Sequence, residues 1–563
     1  MAETRSDRPV MPALIASLAA AAICGLWAFS KTWGSEYVIQ DDARSHVVWM
    51  LRFIDPELFP NDIIMDYFQS VAPAGYKLVY QIPAMVGIDP LLTNKILPTI
   101  LGMIAAGFCF GVSYLIFPIP WAAFASTLFL TQNLWLKDDL ISATPRAFFY
   151  PLFLGFLYFL LRRSAVGTAI AIALLGAFYP QGVLIAIGVL LLDSWRLFRI
   201  DEKRGLFSRL ILGVIVGASV LIPYAVKTSE FGAIITLSEA RNLPEFYPGG
   251  RATFFTDKPF DFWITGDRSG LLPQEWFLKT FIPPQVFLGL SLPLLLKYQN
   301  RFPLVKYINA NIAVLAEILL TSTGLFFLAH LLLFRLHHPS RYSQHCLRIV
   351  AAIAGGIALA LILDFIIRKF NLKQAKPYIK GIAGVGLFLL LFYPALTASF
   401  PGTKYVFGRV PFLYDFLAIQ PEDTLIASTS EKANNIPAFS RRSLLVGSEY
   451  VLPYHEDYRN ELQVRSRDLI RAQYSPDLTT VQNFIQKYEI DFWLLNSDAF
   501  DLDYVADNSP LGQLDAEATA EITARLEAGE TPILSELIYD CSVLEVEDKI
   551  VLDAECIVKW KKR

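Results

Sequence analysis

With 563 residues, 54% of them hydrophobic and only 18% charged, and with a mean hydropathy of +0.42, the chain is too apolar for an ordinary soluble domain. It reads as a polytopic membrane protein. The formal net charge of -3 comes with no long basic run outside the connecting loops, so the charge balance gives no support for nucleic acid as a partner.

The first apolar run, Met11 to Phe29, is about long enough to span and follows Arg5 and Arg8. It lacks a convincing small-residue cleavage site, so it is read as a retained transmembrane helix, with a cleaved signal peptide as the alternative. Directly after it comes Ser35-Glu36-Tyr37-Val38-Ile39-Gln40-Asp41-Asp42-Ala43-Arg44-Ser45-His46. Carboxylates beside a bilayer are costly to desolvate, so Asp41 and Asp42 are expected to face a water-filled cavity that holds a metal, a cation or a proton. The ordinary alternative is that they cap the helix expected at 43 to 53, at its positive end.

Apolar runs of roughly 17 to 25 residues predict about eleven crossings. Their expected spans are 11 to 30, 93 to 117, 121 to 136, 146 to 162, 165 to 180, 181 to 193, 209 to 226, 281 to 296, 309 to 334, 347 to 367 and 380 to 398. Tyr179-Pro180-Gln181-Gly182 divides one long apolar stretch and is taken as a hairpin tip, with a single kinked helix as the rival. The hairpin puts the basic connections on one side: Arg162-Arg163, then 194 to 208 with Arg196, Arg199, Lys203 and Arg204, then Lys297 to Lys306, then Arg368 to Lys380. By the positive-inside rule that side and the N-terminus are cytoplasmic. The acidic doublet, the loop 227 to 280 and everything after about 400 then lie on the outer face, periplasmic in a bacterium or lumenal in a eukaryote.

From Phe400 the texture becomes that of a soluble α/β domain. Strands are expected at 424 to 428, 442 to 447 and 490 to 495, and helices at 467 to 472, 478 to 488 and 514 to 528. A final hairpin is expected at 542 to 546 and 550 to 555. A two-residue turn at Asp548-Lys549 would set Cys541 and Cys556 opposite each other, as a disulfide or as two free thiols. Cys24, Cys109 and Cys346 read as small core hydrophobes. The expected fold is an α-helical polytopic membrane bundle of about eleven transmembrane helices over residues 1–400, with a C-terminal extracytoplasmic α/β domain over 401–563.

Further polar groups fall on the outer loops. Lys137-Asp138-Asp139 is followed by Ser142-Ala143-Thr144-Pro145-Arg146, where Pro145 suits a first helical turn and Thr144 an N-cap. A solvated loop with Arg146 neutralised by Asp139 describes it equally well. Arg335-Leu336-His337-His338-Pro339-Ser340-Arg341-Tyr342 runs against the positive-inside trend. Its Arg341 has the planar fork for a phosphate, and Tyr342 is placed to stack on a sugar or lie in the interfacial belt. Adjacent histidines point apart on a helix or strand, which argues against a metal shared by His337 and His338. The loop 227 to 280 mixes aromatic and charged residues, Glu239, Arg241, Glu245, Phe246, Tyr247, Arg251, Asp257, Asp261, Phe262, Trp263, Asp267 and Arg268, none of which stands out as an individual ligand. It is read as a sugar-gripping lid hinged at Gly249-Gly250 and Gly266, or as a loop lying in the belt. In the last domain Ser440-Arg441-Arg442, His455 and Arg465-Ser466-Arg467-Asp468 suit scaffolding or acceptor recognition better than catalysis.

Gln40-Asp41-Asp42, the interfacial stretch Ala43 to Phe68, the second acidic loop Lys137-Asp138-Asp139 and the outboard C-terminal domain together resemble the GT-C superfamily of membrane glycosyltransferases. The resemblance covers the architecture of most of the chain, although the motif itself is two residues long. It implies transfer of a sugar from a polyprenyl-phosphate-linked donor to a lipid, glycan or protein acceptor, with membrane lipids as surroundings and Asp41 or Asp42 as general base. It also implies that Asp138 and Asp139 help to bind acceptor or metal, and Asp42 and Asp139 are the candidates for a divalent ion such as Mg or Mn. Arg341 and Arg146 would hold the phosphate and Tyr342 the sugar or lipid. The chemistry agrees: burial can raise a carboxyl pKa toward working pH, and a lipid phosphate leaves most readily against cations. The rival readings are a transporter or flippase for a lipid-linked glycan, with the doublet as coupling-ion site, and a catalytically inactive scaffold of a glycan-assembly complex.

Overall fold

The computed structural model describes residues 10–200, 205–226, 228–278, 282–371, 377–396, 400–507 and 509–561. Arg5, Arg8, Lys203 and Arg204, with 372–376 of the last basic connection and the end of the eleventh apolar run, lie outside them.

Each of the eleven apolar runs falls on a helix. Among the described residues six helices are long and apolar enough to cross a membrane: Val10–Ser30, Pro90–Ile116, Pro180–Arg199, Leu206–Val226, Ala310–Leu331 and Ser340–Lys369. The other five, Pro120–Leu136, Pro145–Leu161, Ala165–Phe178, Pro284–Lys297 and Lys380–Phe392, are shorter. Prolines set several starts, since a missing N–H costs nothing in the first turn. The 30-residue helix Ser340–Lys369 runs through the centre. Small residues let its neighbours close on it: a Cβ added at Gly355 would come within 2.9 Å of the Gln285 carbonyl oxygen, and Gly356 lies directly against Ser126. Where lipid removes the hydrophobic drive between helices, this kind of close backbone packing holds a bundle together.

The break at Tyr179 is a hairpin tip. Along Leu206–Val226, Gly213 lies against Ile172 and Leu190, Gly217 against Val183 and Ile187, and Val220 against Gly176. These contacts ascend Ala165–Phe178 and descend Pro180–Arg199, so the two helices run antiparallel.

Between the first and second long helices the chain lies in short pieces, Ala43–His46, Val48–Phe53, Ile63–Val71 and Ala74–Met85. Asp62 caps the third by accepting from the backbone N–H of Ile64 and Met65. Ile64, Met65, Tyr67 and Phe68 are buried, while Leu78, Ile82 and Met85 are exposed, an apolar face suited to an interface. Strand β1 (Val38–Gln40) pairs antiparallel with β2 (Tyr405–Phe407), joining the chain just before the acidic doublet to the chain just after the last apolar helix.

The remainder builds a mixed five-stranded sheet from β3 (Leu425–Ala427), β4 (Ser443–Leu444), β5 (Phe492–Asn496), β6 (Ser542–Val546) and β7 (Lys549–Asp553), in the order β4-β3-β5-β7-β6. β4, β3 and β5 run parallel, and β7 is antiparallel to both its neighbours. The helix expected at 467 to 472 begins at Glu456. Its first turns, Glu456-Asp457-Tyr458-Arg459-Asn460-Glu461, are polar and carry no apolar stripe to announce them.

The final hairpin turns at Glu547-Asp548, because Val546 pairs with Lys549 and a bulge intervenes between Ser542 and Leu544. The cysteines therefore do not face each other across the ladder. Cys541 ends the helix Ile533–Cys541 and Cys556 sits in Ala554–Lys559, which Asp553 caps. The two are joined by a disulfide with Cα atoms 5.6 Å apart. Cys24 is half-buried, and Cys109 and Cys346 are buried.

Candidate functional site

Helix ends gather around one cavity of about 430 Å³. Asp42 and His46 come from the first loop, Arg146 from the start of one apolar helix, and Tyr179 with Gln181 from the hairpin tip. His337, His338 and Arg341 come from the entry to the central helix, Arg251 and Arg268 from the long loop, and Glu449, Tyr454 and His455 from the C-terminal domain.

The two acids of the doublet part company. Asp42 lines the cavity and accepts from Arg146. Asp41 is absent from the lining and is ion-paired with Arg44, three residues on. No capping hydrogen bond runs from the Asp42 side chain to the following helical turn, so the helix-cap reading of Asp42 does not hold.

Arg146 is the hub of the floor. Besides Asp42 it donates to Asp138 Oδ2 at 3.0 Å and lies 3.5 Å from Asp139 Oδ1. Lys404 adds a second cation 3.3 Å from Asp138. Asp139 is also held from below: Arg348 approaches its Oδ2 at 2.9 Å and the Tyr150 hydroxyl donates to it at 3.2 Å. Arg348 in turn donates to Glu275 at 2.6 Å. An alternating row, Glu275–Arg348–Asp139–Arg146–Asp42, thus runs from inside the bundle to the cavity. A buried charge is tolerated when each neighbour carries the opposite sign.

The electrostatics differ from the sequence expectation. Burial alone would raise the Asp42 carboxyl, but Arg146 above all, with His46, Lys404 and Arg341, outweighs it and leaves Asp42 below the ordinary carboxylate range. Asp139 is held well below it: burial opposes, and Lys137, Arg348 and Arg146 win. Burial pushes the imidazoles the other way, His46 down to about 4 and His337 down to about 3, so both are neutral near pH 7.

Arg341 comes to the cavity with a 3.8 Å approach to Asp139 as its nearest carboxylate. Arg268 donates to the backbone oxygens of Thr253 at 3.2 Å and Arg251 at 3.3 Å, which orients its fork without neutralising it. Tyr342 is elsewhere: it is 1% exposed, and its hydroxyl donates to the Leu336 carbonyl, a structural use of a residue expected to meet sugar or lipid. His337 and His338 do not point apart. His337 has a φ of 62°, and this left-handed backbone brings the two rings to 4.4 Å. His338 is engaged with the Tyr454 hydroxyl at 3.1 Å.

The long loop is anchored at several places. Asp267 pairs with Lys137 at 2.9 Å, Glu245 with Arg459 at 2.7 Å, and Ile234 bridges to His455. Those ties are against a freely swinging lid. In the C-terminal domain Arg442 is spent on the carbonyls of Ala418 and Gln420, and Arg467 pairs with Asp515. His455 reaches the cavity, where Tyr67 bonds it at 3.0 Å. Sequence reasoning missed Glu449, Arg44, Arg348 and Glu275. Single charged residues far apart in the chain give no spacing signal, though Arg348 inside an apolar run was a legible anomaly.

For a divalent metal the arrangement fits poorly. Asp138 Oδ1 and Asp139 Oδ1 lack hydrogen bonds, but the guanidinium of Arg146 already stands among the three acids and supplies the positive charge. Among the described residues no group of three His, Cys, Asp or Glu could hold an ion. The expected pairing of Asp42 and Asp139 around Mg or Mn is met by an arginine.

No protein-family model and no curated protein matches the sequence. The fold does have solved counterparts. The apo oligosaccharyltransferase of Archaeoglobus fulgidus aligns with a TM-score of 0.52 at 11% identity, over 90% of this chain and 71% of that one. The same enzyme tethered to an acceptor peptide containing the NVT sequon gives 0.50 at 11% identity, over 91% and 72%. ArnT from Cupriavidus metallidurans bound to undecaprenyl phosphate gives 0.45 at 13% identity, over 96% and 97%. The helical bundle with its acidic first loop and C-terminal sheet-bearing part aligns over nine-tenths of this chain, which shares the fold of the Archaeoglobus fulgidus oligosaccharyltransferase.

Proposed function

We propose that this protein is an integral membrane glycosyltransferase that moves a sugar from a polyprenyl-phosphate-linked donor to an acceptor bound beside Asp42. The observation that carries the reading is the Asp42 carboxylate sharing a single cavity with four arginines, of which Arg146 pairs with Asp42, Arg251 pairs with Glu449 of the same wall, and Arg268 and Arg341 are left to meet an anion. That is a base and an anion cradle in one place.

In the reaction the bond from the anomeric carbon to the phosphate oxygen breaks, and a bond from that carbon to the acceptor oxygen forms. The acceptor proton passes to Asp42. A carboxylate held ionised by Arg146 is a weak base toward a free hydroxyl. It is well suited to align that hydroxyl and to take the proton late, when bonding to carbon has made it acidic. Arg341, with Arg268 beside it, faces the charge growing on the departing phosphate, and a guanidinium fork matches two phosphate oxygens.

The positions of the helix ends support the outer side of the membrane. Arg146 and Arg162 flank one helix, Gln181 and Arg199 another, Arg341 and Arg368 a third. In each the cavity residue is at one end and the basic connection at the other. With basic connections inside, transfer takes place on the outer face, periplasmic or lumenal. Asp42, Asp138 and Asp139 lie at helix ends and not along a long apolar helix, which supports an enzyme over a flippase.

The test is transfer of labelled sugar from a polyprenyl-phosphate donor by purified protein in lipid, wild type against Asp42→Asn. Loss of transfer with unchanged folding supports the reading. Equal transfer by both, or label crossing the vesicle without transfer, removes it.

A further inference from the structure

Glu449 has no place in the reaction as described, yet it comes to the cavity wall from the C-terminal domain. Each of its carboxylate oxygens is gripped by an arginine from a different part of the chain. Arg44 Nη2 donates to Oε2 at 3.0 Å, and Arg251 Nη2 donates to Oε1. The backbone N–H of Glu449 donates to Asn434 Oδ1 at 3.3 Å, and Asn435 Oδ1 accepts from Arg44 at 3.2 Å, so two adjacent asparagines brace the pair. Arg44 also donates to Asp41. The result is a second alternating row, Asp41–Arg44–Glu449–Arg251, beside the one that ends on Asp42.

This row accounts for the split of the acidic doublet. Asp41 and Asp42 are chemically identical neighbours. Arg44 is 8% exposed and Glu449 14% at the side chain, so Arg44 is held between Glu449 and Asn435 on one side and Asp41 on the other. Without Glu449, Arg44 would lose one of its two carboxylates, and Arg251 would carry an unbalanced charge into the cavity.

Resting on the glycosyltransferase reading, we propose that Glu449 is a positioning residue. By fixing Arg44 it keeps Asp41 aside so that Asp42 faces the acceptor, and by neutralising Arg251 it stops that arginine from competing for Asp42 or capturing the donor phosphate unproductively.

The experiment compares wild type, Glu449→Gln, Arg251→Gln and the double variant, with two readouts. One is steady-state sugar transfer; the other is equilibrium binding of undecaprenyl phosphate in detergent, which needs no turnover. Glu449→Gln is expected to lower kcat about 10- to 100-fold, the usual cost of removing an orienting partner. Its donor KM should stay level or fall, and its lipid-phosphate binding should tighten severalfold. Adding Arg251→Gln should restore part of kcat and reverse the tighter binding. A mere fastener between domains predicts the opposite: weaker binding, raised KM and a double variant worse than either single one, and that pattern overturns the proposal. So does unchanged kcat in Glu449→Gln. Should Glu449→Gln fail to fold, Arg44→Lys replaces it. That change keeps the charge and loses the fork, so a kcat loss without a KM rise is expected, and full activity refutes the role. A wild type that binds the lipid phosphate but transfers no sugar fails the underlying reading and not Glu449, whose binding arm still stands.

Discussion

Asp42 and Arg146 lie 104 residues apart in the chain and meet as one ion pair on the cavity floor. The pair ties the first loop to the second, and it leaves Asp42 ionised while Arg146 answers to Asp138 and Asp139 as well. Replacing Asp42 by Asn leaves Arg146 two other carboxylates, so the fold should survive. Transfer should drop about 10²- to 10⁴-fold, the usual contribution of general-base catalysis. Measuring kcat beside the thermal midpoint separates the two effects.

The pH response follows from the direction of the Asp42 shift. A carboxyl lowered in the fold contributes above its unfolded value, about 3.9, and that contribution is lost only as pH falls through the lower folded value. The acid limb of kcat/KM should therefore lie below about pH 4. In Arg146→Gln the chief counter to burial is gone, so the limb should move upward. A limb that stays put would show that another group governs it.

Arg341 reaches the cavity with its nearest ion-pair partner, Asp139, 3.8 Å away, so its fork is only loosely engaged. Arg341→Ala should raise donor KM and reduce kcat/KM by about 10- to 100-fold, equal to 1.4 to 2.7 kcal/mol. Arg341→Lys should recover only part, because a point charge does not replace the fork. Titration with donor at fixed acceptor reads both.

The pair Glu275–Arg348 is buried and close, at 2.6 Å. Removing one partner strands the other's charge, so Arg348→Met should destabilise the protein by about 3–5 kcal/mol. Replacing both by apolar residues should cost less than the sum of the single changes. Thermal melts of the four proteins in one detergent decide it.

Cys541 and Cys556 close a loop of 15 residues. In the chain-entropy account such a closure is worth about 3 kcal/mol. Cys556→Ser should lower the midpoint of the C-terminal transition, and reductant should do the same to the wild type but not to the variant.

Much of this was legible in the sequence, for reasons that differ by element. Apolar runs forced helices wherever they occurred, and Pro180 with Gly182 marked the hairpin tip. The doublet and the second acidic loop stood out because charge is expensive there. What stayed hidden was mostly pairing across long separations. Asp41 has Arg44 three residues on, but the partners that complete the split leave no local mark: Arg146 meets Asp42 from 104 residues away, and Glu449 braces Arg44 from 405 residues away. Tyr342 was misread because a tyrosine near a membrane edge suits several surfaces equally, and only packing shows its hydroxyl turned to Leu336. The histidines were misjudged because their geometry rests on a left-handed φ at His337, which a non-glycine residue seldom adopts. The sequence shows the burial that raises a carboxyl but not the converging arginines that bring Asp42 down.

The short ribbon formed by β1 and β2 has a further consequence. It zips residues near 38 to residues near 407, and just beyond it the backbone N–H of Asp41 donates to the Lys404 carbonyl at 3.1 Å. The polypeptide is thereby cinched into a ring, with every apolar helix after the first inside the loop. Two separately synthesised halves would have to find each other before the pocket existed at all, and a tilt of the C-terminal sheet would be felt at the Asp42 carboxylate with little slack between them.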